Sequence, residues 1–242
     1  MKGPHPPRSA SHLRVLAVGA IALTAYLRSC PRPASLPLET AIDGPLPGTA
    51  EVVLVLLHGR GGSTAQTAKL VKRLRDAGLP SDVSVVLLQG PYPTLFGQAW
   101  GSDAVDQATS RARVRARLAQ LLGVRRSNPT RLVLAGFSQG AGIAGDIAAE
   151  EPRVTALASL SPCGFWLRSQ LPKRTGLRVL LAHGSRDGVC PVNESRSLAA
   201  VLKEAHVPVQ YLEFDGQHAI PVEVVRALVT FTTAPPSIEP LP

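Results

Sequence analysis

The chain has 242 residues, 45% of them hydrophobic and 18% charged, with a formal net charge of +9. Such a length and balance suit one globular domain with a substantial core. The positive excess is not a nucleic-acid footprint. Lys2, Arg8, Arg14 and Arg28 fall in an acid-free first 29 residues, and +9 less these four leaves +5 for the remainder; no aromatic-and-basic interleaving of the single-strand-binding kind occurs.

Residues 1–29 read as an export signal. Basic residues come first, followed by the uncharged run Val15 to Leu27, which is too short for the roughly 20 apolar residues that span a bilayer. Leu27-Arg28-Ser29-Cys30 then resembles a bacterial lipobox, in which the cysteine becomes the lipidated first residue of the mature chain. Arg28 departs from that pattern, where a small or apolar residue is usual. Lipidation of Cys30, ordinary signal cleavage and an uncleaved anchor all stay open. The expected location is outside the cytoplasm of a bacterium, periplasmic or membrane-anchored, with any membrane contact made through this segment alone. Residues 30–48, with Pro31, Pro33, Pro37, Pro45 and Pro47, read as an extended tether. Residues 49–233 form the expected catalytic domain, and 234–242 a proline-rich tail.

Within the domain, strands alternate with helices. Val52 to Leu57 is a continuous apolar run, the pattern of a strand buried on both faces. A helix is expected from about Thr64 to Ala77, with Leu70 and Leu74 on one face and Gly78 as its stop. Val83 to Leu88 is the next strand. The helix from about Asp103 to Leu122 carries its apolar stripe on Val114, Leu118, Leu121 and Leu122. Leu132 to Ala135 is a strand, and Ile143, Ala144, Ile147 and Ala148 mark the helix behind it. Further strands are expected at Ala156 to Leu160, Leu177 to Ala182 and Val209 to Phe214. Leu198, Val201, Leu202 and Ala205 mark one intervening helix, and Ile220, Val224 and Leu228 the last. This alternation predicts an α/β fold with a doubly wound, mainly parallel sheet and helices on both faces. Ligands in such sheets bind at the carboxyl ends of the strands.

The polar motifs fall at those ends. Gly136-Phe137-Ser138-Gln139-Gly140 sits between a strand and a helix, the context of a G-x-S-x-G nucleophile elbow. A side chain at Gly136 or Gly140 would collide with so sharp a turn. Ser138 needs a base, and the base needs an orienting acid. Asp187 lies past the strand Leu177 to Ala182 in His183-Gly184-Ser185-Arg186-Asp187. His218 lies past the strand Val209 to Phe214 in Asp215-Gly216-Gln217-His218. The order serine, acid, histidine makes Ser138, Asp187 and His218 the expected triad. Among the other histidines, His5 and His12 lie in the leader and His206 near a helix end, while His58 and His183 shape loops. Asp215 reads as a turn former and Glu194 as a first-turn helix acid. An oxyanion hole requires backbone N–H groups aimed at the developing charge. Gln139 should supply one, and the loop His58-Gly59-Arg60-Gly61-Gly62 the other. That loop also suits a helix cap made by Ser63 or Thr64.

Cys163 and Cys190 each follow a strand end, and either a disulfide beside the site or two separate buried thiols fits the sequence. Arg111, Arg113, Arg115 and Arg117 alternate with apolar residues, but on a helix they flank the apolar stripe as solvated edges. No H-E-x-x-H or C-x-x-C motif is present, and neither a metal nor a nucleotide cofactor is expected.

Leu57-His58-Gly59-Arg60-Gly61, Gly136 to Gly140, Gly184 to Pro191 and Gly216-Gln217-His218 together resemble the carboxylesterase, lysophospholipase and acyl-protein thioesterase branch of the α/β-hydrolases. The resemblance spans most of Glu51 to Thr232. It implies that the N–H of Arg60 is the second oxyanion donor and that Trp100, in Gln98-Ala99-Trp100, lies near the acyl site. The chain departs from the family at Gly62, where aspartate is common, at Arg60, usually apolar, and at Cys190, frequently aliphatic. The Arg60 side chain either projects over the cleft toward an anionic substrate group or turns to solvent. The expected function is hydrolysis of small-molecule carboxylic esters through an acyl-enzyme. Thioester or lysophospholipid cleavage, acyl transfer and a non-catalytic binding role are the alternatives. Nothing in the sequence sets the oligomeric state.

Overall fold

The computed structural model describes residues 38–123, 131–164 and 170–235. The expected export signal, Cys30, the tether before residue 38 and the tail beyond 235 lie outside the described residues. The elements are β1 (Thr40–Asp43), β2 (Val52–Leu57), α1 (Thr64–Asp76), β3 (Ser84–Leu88), β4 (Tyr92–Pro93), β5 (Gln98–Ala99), α2 (Ala104–Leu122), β6 (Arg131–Phe137), α3 (Gln139–Glu150), β7 (Val154–Leu160), β8 (Arg178–Gly184), α4 (Val192–Glu204), β9 (Val209–Phe214) and α5 (Val222–Thr233), with a short 3₁₀ turn at Leu171–Lys173. Seven strands form one sheet in the order β1-β3-β2-β6-β7-β8-β9. All its pairings are parallel except β1 with β3.

The unbroken apolar run of β2 is explained by the two layers it separates. Val53, Val55 and Leu57 face a core completed by Val114 and Leu118 of α2, Ile143 and Ile147 of α3, and Leu198 and Leu202 of α4. Val52, Leu54 and Leu56 face a second core shared with Val71 and Leu74 of α1 and Val224, Leu228 and Phe231 of α5. Because successive strand side chains point to opposite faces, six consecutive apolar residues serve both cores. Local signals set the helix starts. Ser63 caps α1 by accepting the Gln66 N–H, and Asp103 caps α2 by accepting the Asp106 N–H, satisfying amides that the first turn leaves unbonded.

Strand order reverses between β2 and β6: the chain goes outward from β2 to β3, then returns to β6 on the opposite side of β2. The crevice at such a switch point is where doubly wound sheets bind ligands. The Gly59 and Ser138 loops both open there.

Two elements differ from expectation. Part of the stretch read as a tether is β1, whose four residues pair with β3 from Thr40↔Leu88 to Asp43↔Val85. Its Thr-Ala-Ile-Asp sequence lies at an edge and carries no buried alternation, so the pairing left no pattern to read. The β4–β5 hairpin is only two residues per strand, below the length at which periodicity is visible.

The α2 arginines are more than solvated edges. Arg111 reaches the fully buried Asp146 of α3 at 3.0 Å and is itself only 18% exposed, whereas the Arg115–Glu150 pair is 40% and 41% exposed. Arg117 donates to Thr40 Oγ1. These cations are spent on joining α2 to α3 and to β1. Removing one partner of a largely desolvated pair costs more than removing one of an exposed pair. Arg111→Ala should therefore lower unfolding stability by about 2 kcal/mol, and Arg115→Ala by less than about 1 kcal/mol, measured by urea denaturation; equal losses would contradict the ranking.

Candidate active site

Strand β6 ends at Phe137 and α3 begins at Gln139, so Ser138 alone makes the turn. Its φ of 55° is in the left-handed region, unfavourable for a residue with a Cβ. The surroundings hold it there. Its N–H donates to Leu160 O at 2.9 Å, and its carbonyl accepts from Ala141 at 3.0 Å. A Cβ on Gly136 would strike the Gly140 carbonyl, and one on Gly140 would strike the carbonyls of His58 and Leu57. Although Ser138 occupies the N-cap position of α3, its hydroxyl makes no capping bond, which leaves Oγ for other chemistry.

The 58–62 loop starts beside the elbow because Leu57 is the parallel partner of Gly136. Its geometry is set by neighbours. Gly61 N–H donates to Gln98 O and Gln98 N–H to Gly62 O, each at 2.8 Å, and Gly62 N–H returns to Gly59 O. His58 is buried and bonded at both nitrogens: Nδ1 to Gly59 O at 2.7 Å, and Nε2 accepting the Gly90 N–H at 2.9 Å. Among the described residues, the backbone N–H groups of Arg60 and Gln139 have no hydrogen-bond acceptor, which is the condition an anion-binding pair requires. The Gln139 side chain is fully engaged, accepting from Trp100 N–H and donating to Gly101 O.

Trp100 does not lie where a substrate can touch it. It is 0% exposed, donates its indole N–H to His58 O at 2.7 Å, and packs its ring 5.2 Å from that of His58. The expectation of a substrate-binding tryptophan is corrected: Trp100 supports the glycine loop from beneath. Arg60 is exposed, and its side chain has no hydrogen bond or ion pair among the described residues.

Asp187 and His218 come from adjacent strands, β8 and β9. His218 Nδ1 lies 2.7 Å from Asp187 Oδ2, so its proton is on Nδ1 and Nε2 is left as an acceptor. The other carboxylate oxygen accepts from Val189 N–H at 2.8 Å and Cys190 N–H at 2.9 Å. Burial favours the neutral acid, but these amides and the imidazole outweigh it and hold the Asp187 pKa below its usual range. The His218 ring rests on Phe137 at 4.7 Å. No hydrogen bond joins Ser138 to His218 among the described residues; Ser138 Oγ lies 3.6 Å from Cys163 Sγ.

His183 does more than shape its loop. Fully buried, it places Nε2 3.1 Å from Asp187 Oδ2 and 3.0 Å from Cys190 O, and Nδ1 2.7 Å from Ser195 Oγ. Two acceptors face Nε2, so that nitrogen carries the proton and Nδ1 accepts from Ser195. His183 therefore braces the same carboxylate oxygen that His218 holds. The four-residue spacing of His183 and Asp187 was the available signal, but Ser195 has none.

Cys163 and Cys190 form a disulfide with a Cα–Cα distance of 5.3 Å, within the range that the bond requires. It ties the loop past β7, where Cys163 N–H reaches Ser138 O, to the loop that holds Asp187. The two sulfurs and a His218 nitrogen lie within 4.8 Å of one another. In the disulfide form the sulfurs offer no thiolates for a metal.

A serine at a left-handed strand-to-helix turn and a buried Asp–His pair on later strands of a parallel sheet define an α/β-hydrolase. The family model described as serine hydrolase (FSH1) matches residues 99–225, over half of the chain and inclusive of Ser138, Asp187 and His218, and the protein belongs to that family. It is 25% identical over 176 residues to MhqD of Bacillus subtilis (strain 168), a hydrolase by name, covering 72% of this chain and 88% of that one. The solved structure of esterase PE8 superposes with a TM-score of 0.69 at 24% identity, over 81% of this chain and 98% of that one. The Bacillus cereus carboxylesterase gives 0.63 at 21% identity, over 86% and 97%. At these identities the two structures speak for the fold.

Two measurements check the site's framework. Burial lowers the His58 pKa from its ordinary 6.5, against a smaller opposing pull from the Gly59 carbonyl. A depressed pKa means that this contribution to stability is complete above about pH 6.5 and is lost as pH falls through the lower folded value. Unfolding temperature should drop from about pH 7 toward about pH 5, less steeply in His58→Gln; equal slopes would remove His58 as the cause. The disulfide closes a loop of 27 residues, for which chain entropy gives roughly 3.5 kcal/mol. Cys163 and Cys190 should alkylate only after reduction, with a matching fall in unfolding temperature; free thiols in untreated protein would refute the bond.

Proposed function

We propose that this serine hydrolase cleaves carboxylic esters of small molecules through an acyl-enzyme, with Ser138 as nucleophile, His218 as base and Asp187 as the orienting acid. The observation that carries the reading is the 2.7 Å bond between His218 Nδ1 and Asp187 Oδ2, with a strained serine at the end of β6 in the same sheet. A neutral imidazole protonated at Nδ1 presents Nε2 to a hydroxyl. In this reading His218 takes the proton of Ser138 as Oγ attacks the carbonyl carbon. The negative charge that develops on the carbonyl oxygen meets the unpartnered N–H groups of Arg60 and Gln139. His218 then returns its proton to the leaving alcohol. Water repeats the cycle and frees the acid. The 2.7 Å Asp187 bond and the Asp187 charge stabilise the imidazolium at both stages. Closure of Ser138 onto His218 accompanies substrate binding, as in hydrolases whose free forms have long catalytic hydrogen bonds.

Thioesters and lysophospholipids would react by the same steps. No nucleic-acid partner and no cofactor enters the mechanism. Export, with any membrane attachment through the N-terminal signal or lipid on Cys30, belongs to the same proposal; the mass of the mature N-terminus tests it.

Hydrolysis of p-nitrophenyl esters from acetate to palmitate tests the chemistry. Ser138→Ala should lose about 10⁶-fold in kcat and all labelling by a fluorophosphonate probe, and Asp187→Asn about 10⁴-fold. An active Ser138→Ala enzyme, or a folded wild type inert to every ester and to the probe, would overturn the reading.

A further inference from the structure

One cavity adjoins the site without being used by the steps above. It has a volume of about 390 Å³ and lies between the 59–62 loop, α1 and the segment after His218, a size typical of small-ligand sites. Leu56, Leu70, Phe137, Leu160 and Ile220 make its walls largely apolar.

Its position relative to the proposed nucleophile and base is fixed by three contacts. Phe137 lines the cavity and also packs against the His218 ring. Ile220, another wall, is two residues past His218. Gly59, on the third side, comes so near the elbow that a Cβ there would lie 3.2 Å from Ser138 Cβ. The cavity, whose lining includes neither Ser138 nor His218, thus lies next to the elbow on the side of the His218 loop.

That side has a distinct chemical meaning. The protonated base must reach the leaving oxygen to hand over its proton. Whatever is bonded to that oxygen therefore extends past the imidazole, whereas the acyl group extends from the carbonyl carbon in another direction. We propose that the cavity between α1 and the His218 loop is the leaving-group site, and that the preferred substrates are esters of apolar alcohols large enough to fill it. This inference rests on the assignment of Ser138 and His218 above. Apolar burial gained in the transition state raises kcat/KM by about fourfold per methylene.

Ethyl, butyl and hexyl acetate share one acyl group and alcohols of nearly equal acidity. For the wild type, kcat/KM should climb along this series. Leu70→Trp, which fills the cavity, should lower the hexyl-to-ethyl ratio at least tenfold, while the ratio of ethyl hexanoate to ethyl acetate moves less than twofold. Should Leu70→Trp not fold, wild-type inhibition decides: 1-hexanol should compete with substrate at least tenfold better than ethanol. A flat alcohol series, an unchanged hexyl-to-ethyl ratio in the variant, or equal inhibition by the two alcohols would overturn the proposal while Ser138-dependent hydrolysis still stood. Absence of Ser138-dependent hydrolysis would overturn the enzyme reading and this site with it.

Discussion

The rest of the site depends on the left-handed backbone at Ser138. A serine at φ 55° is tolerated only where its surroundings over-determine it. Strand β6 feeds it from one side and α3 leaves from the other, and the glycines at 136 and 140 let neighbouring carbonyls approach where no side chain fits. The gain from this geometry is directional. The hydroxyl leaves the helix-capping geometry, and the first amide of α3 points toward the same crevice. The loop past β2 abuts the elbow because Gly140 meets the carbonyls of Leu57 and His58. One backbone constraint therefore positions the serine and both unpartnered amides together.

Around that elbow, two buried imidazoles act as connectors instead of bases. His58 bridges Gly59 and Gly90, and His183 bridges Ser195 and Asp187. A neutral imidazole suits this task because it offers one donor and one acceptor on a rigid ring. Each connector directly precedes a glycine where its strand ends, His58 just past β2 and His183 near the end of β8, where backbone groups would otherwise lack partners. The disulfide adds a covalent tie between the loop past β7, whose Cys163 N–H bonds to the Ser138 carbonyl, and the loop of Asp187. Loops of the site are thus fixed by the sheet's own exit points, with little help from long side chains reaching in from solvent.

Most of the fold could be read from the chain because its signals are local. The six apolar residues of β2, the stripe Val114–Leu118–Leu122 and the glycines about Ser138 each state a local rule, and the strands and helices follow within a residue or two. The loop positions of Ser138, Asp187 and His218 followed from the same alternation. What escaped the sequence was long-range. The family resemblance puts Trp100 near the acyl site, but its burial beneath the glycine loop is set by contacts that the sequence does not display. Ser195 lies eight residues past Asp187 on a helix, and only the packing of α4 against β8 brings its hydroxyl to His183. The edge strand β1 exists because β3 offers it free amides, and its own four residues carry no pattern.

The β4–β5 hairpin separates what must stay fixed from what is free to vary. Its second strand, through the backbone of Gln98, clamps Gly61 and Gly62, so the anchoring is independent of side-chain identity there. Its tip, Leu95 and Phe96, is 88% and 84% exposed. Drift or laboratory diversification at the tip can reshape the rim of the crevice without disturbing the amides that the clamp orients. The fold thereby places an exposed surface a few residues from a hydrogen-bonded backbone frame, a layout in which selectivity can change while the reaction stays the same.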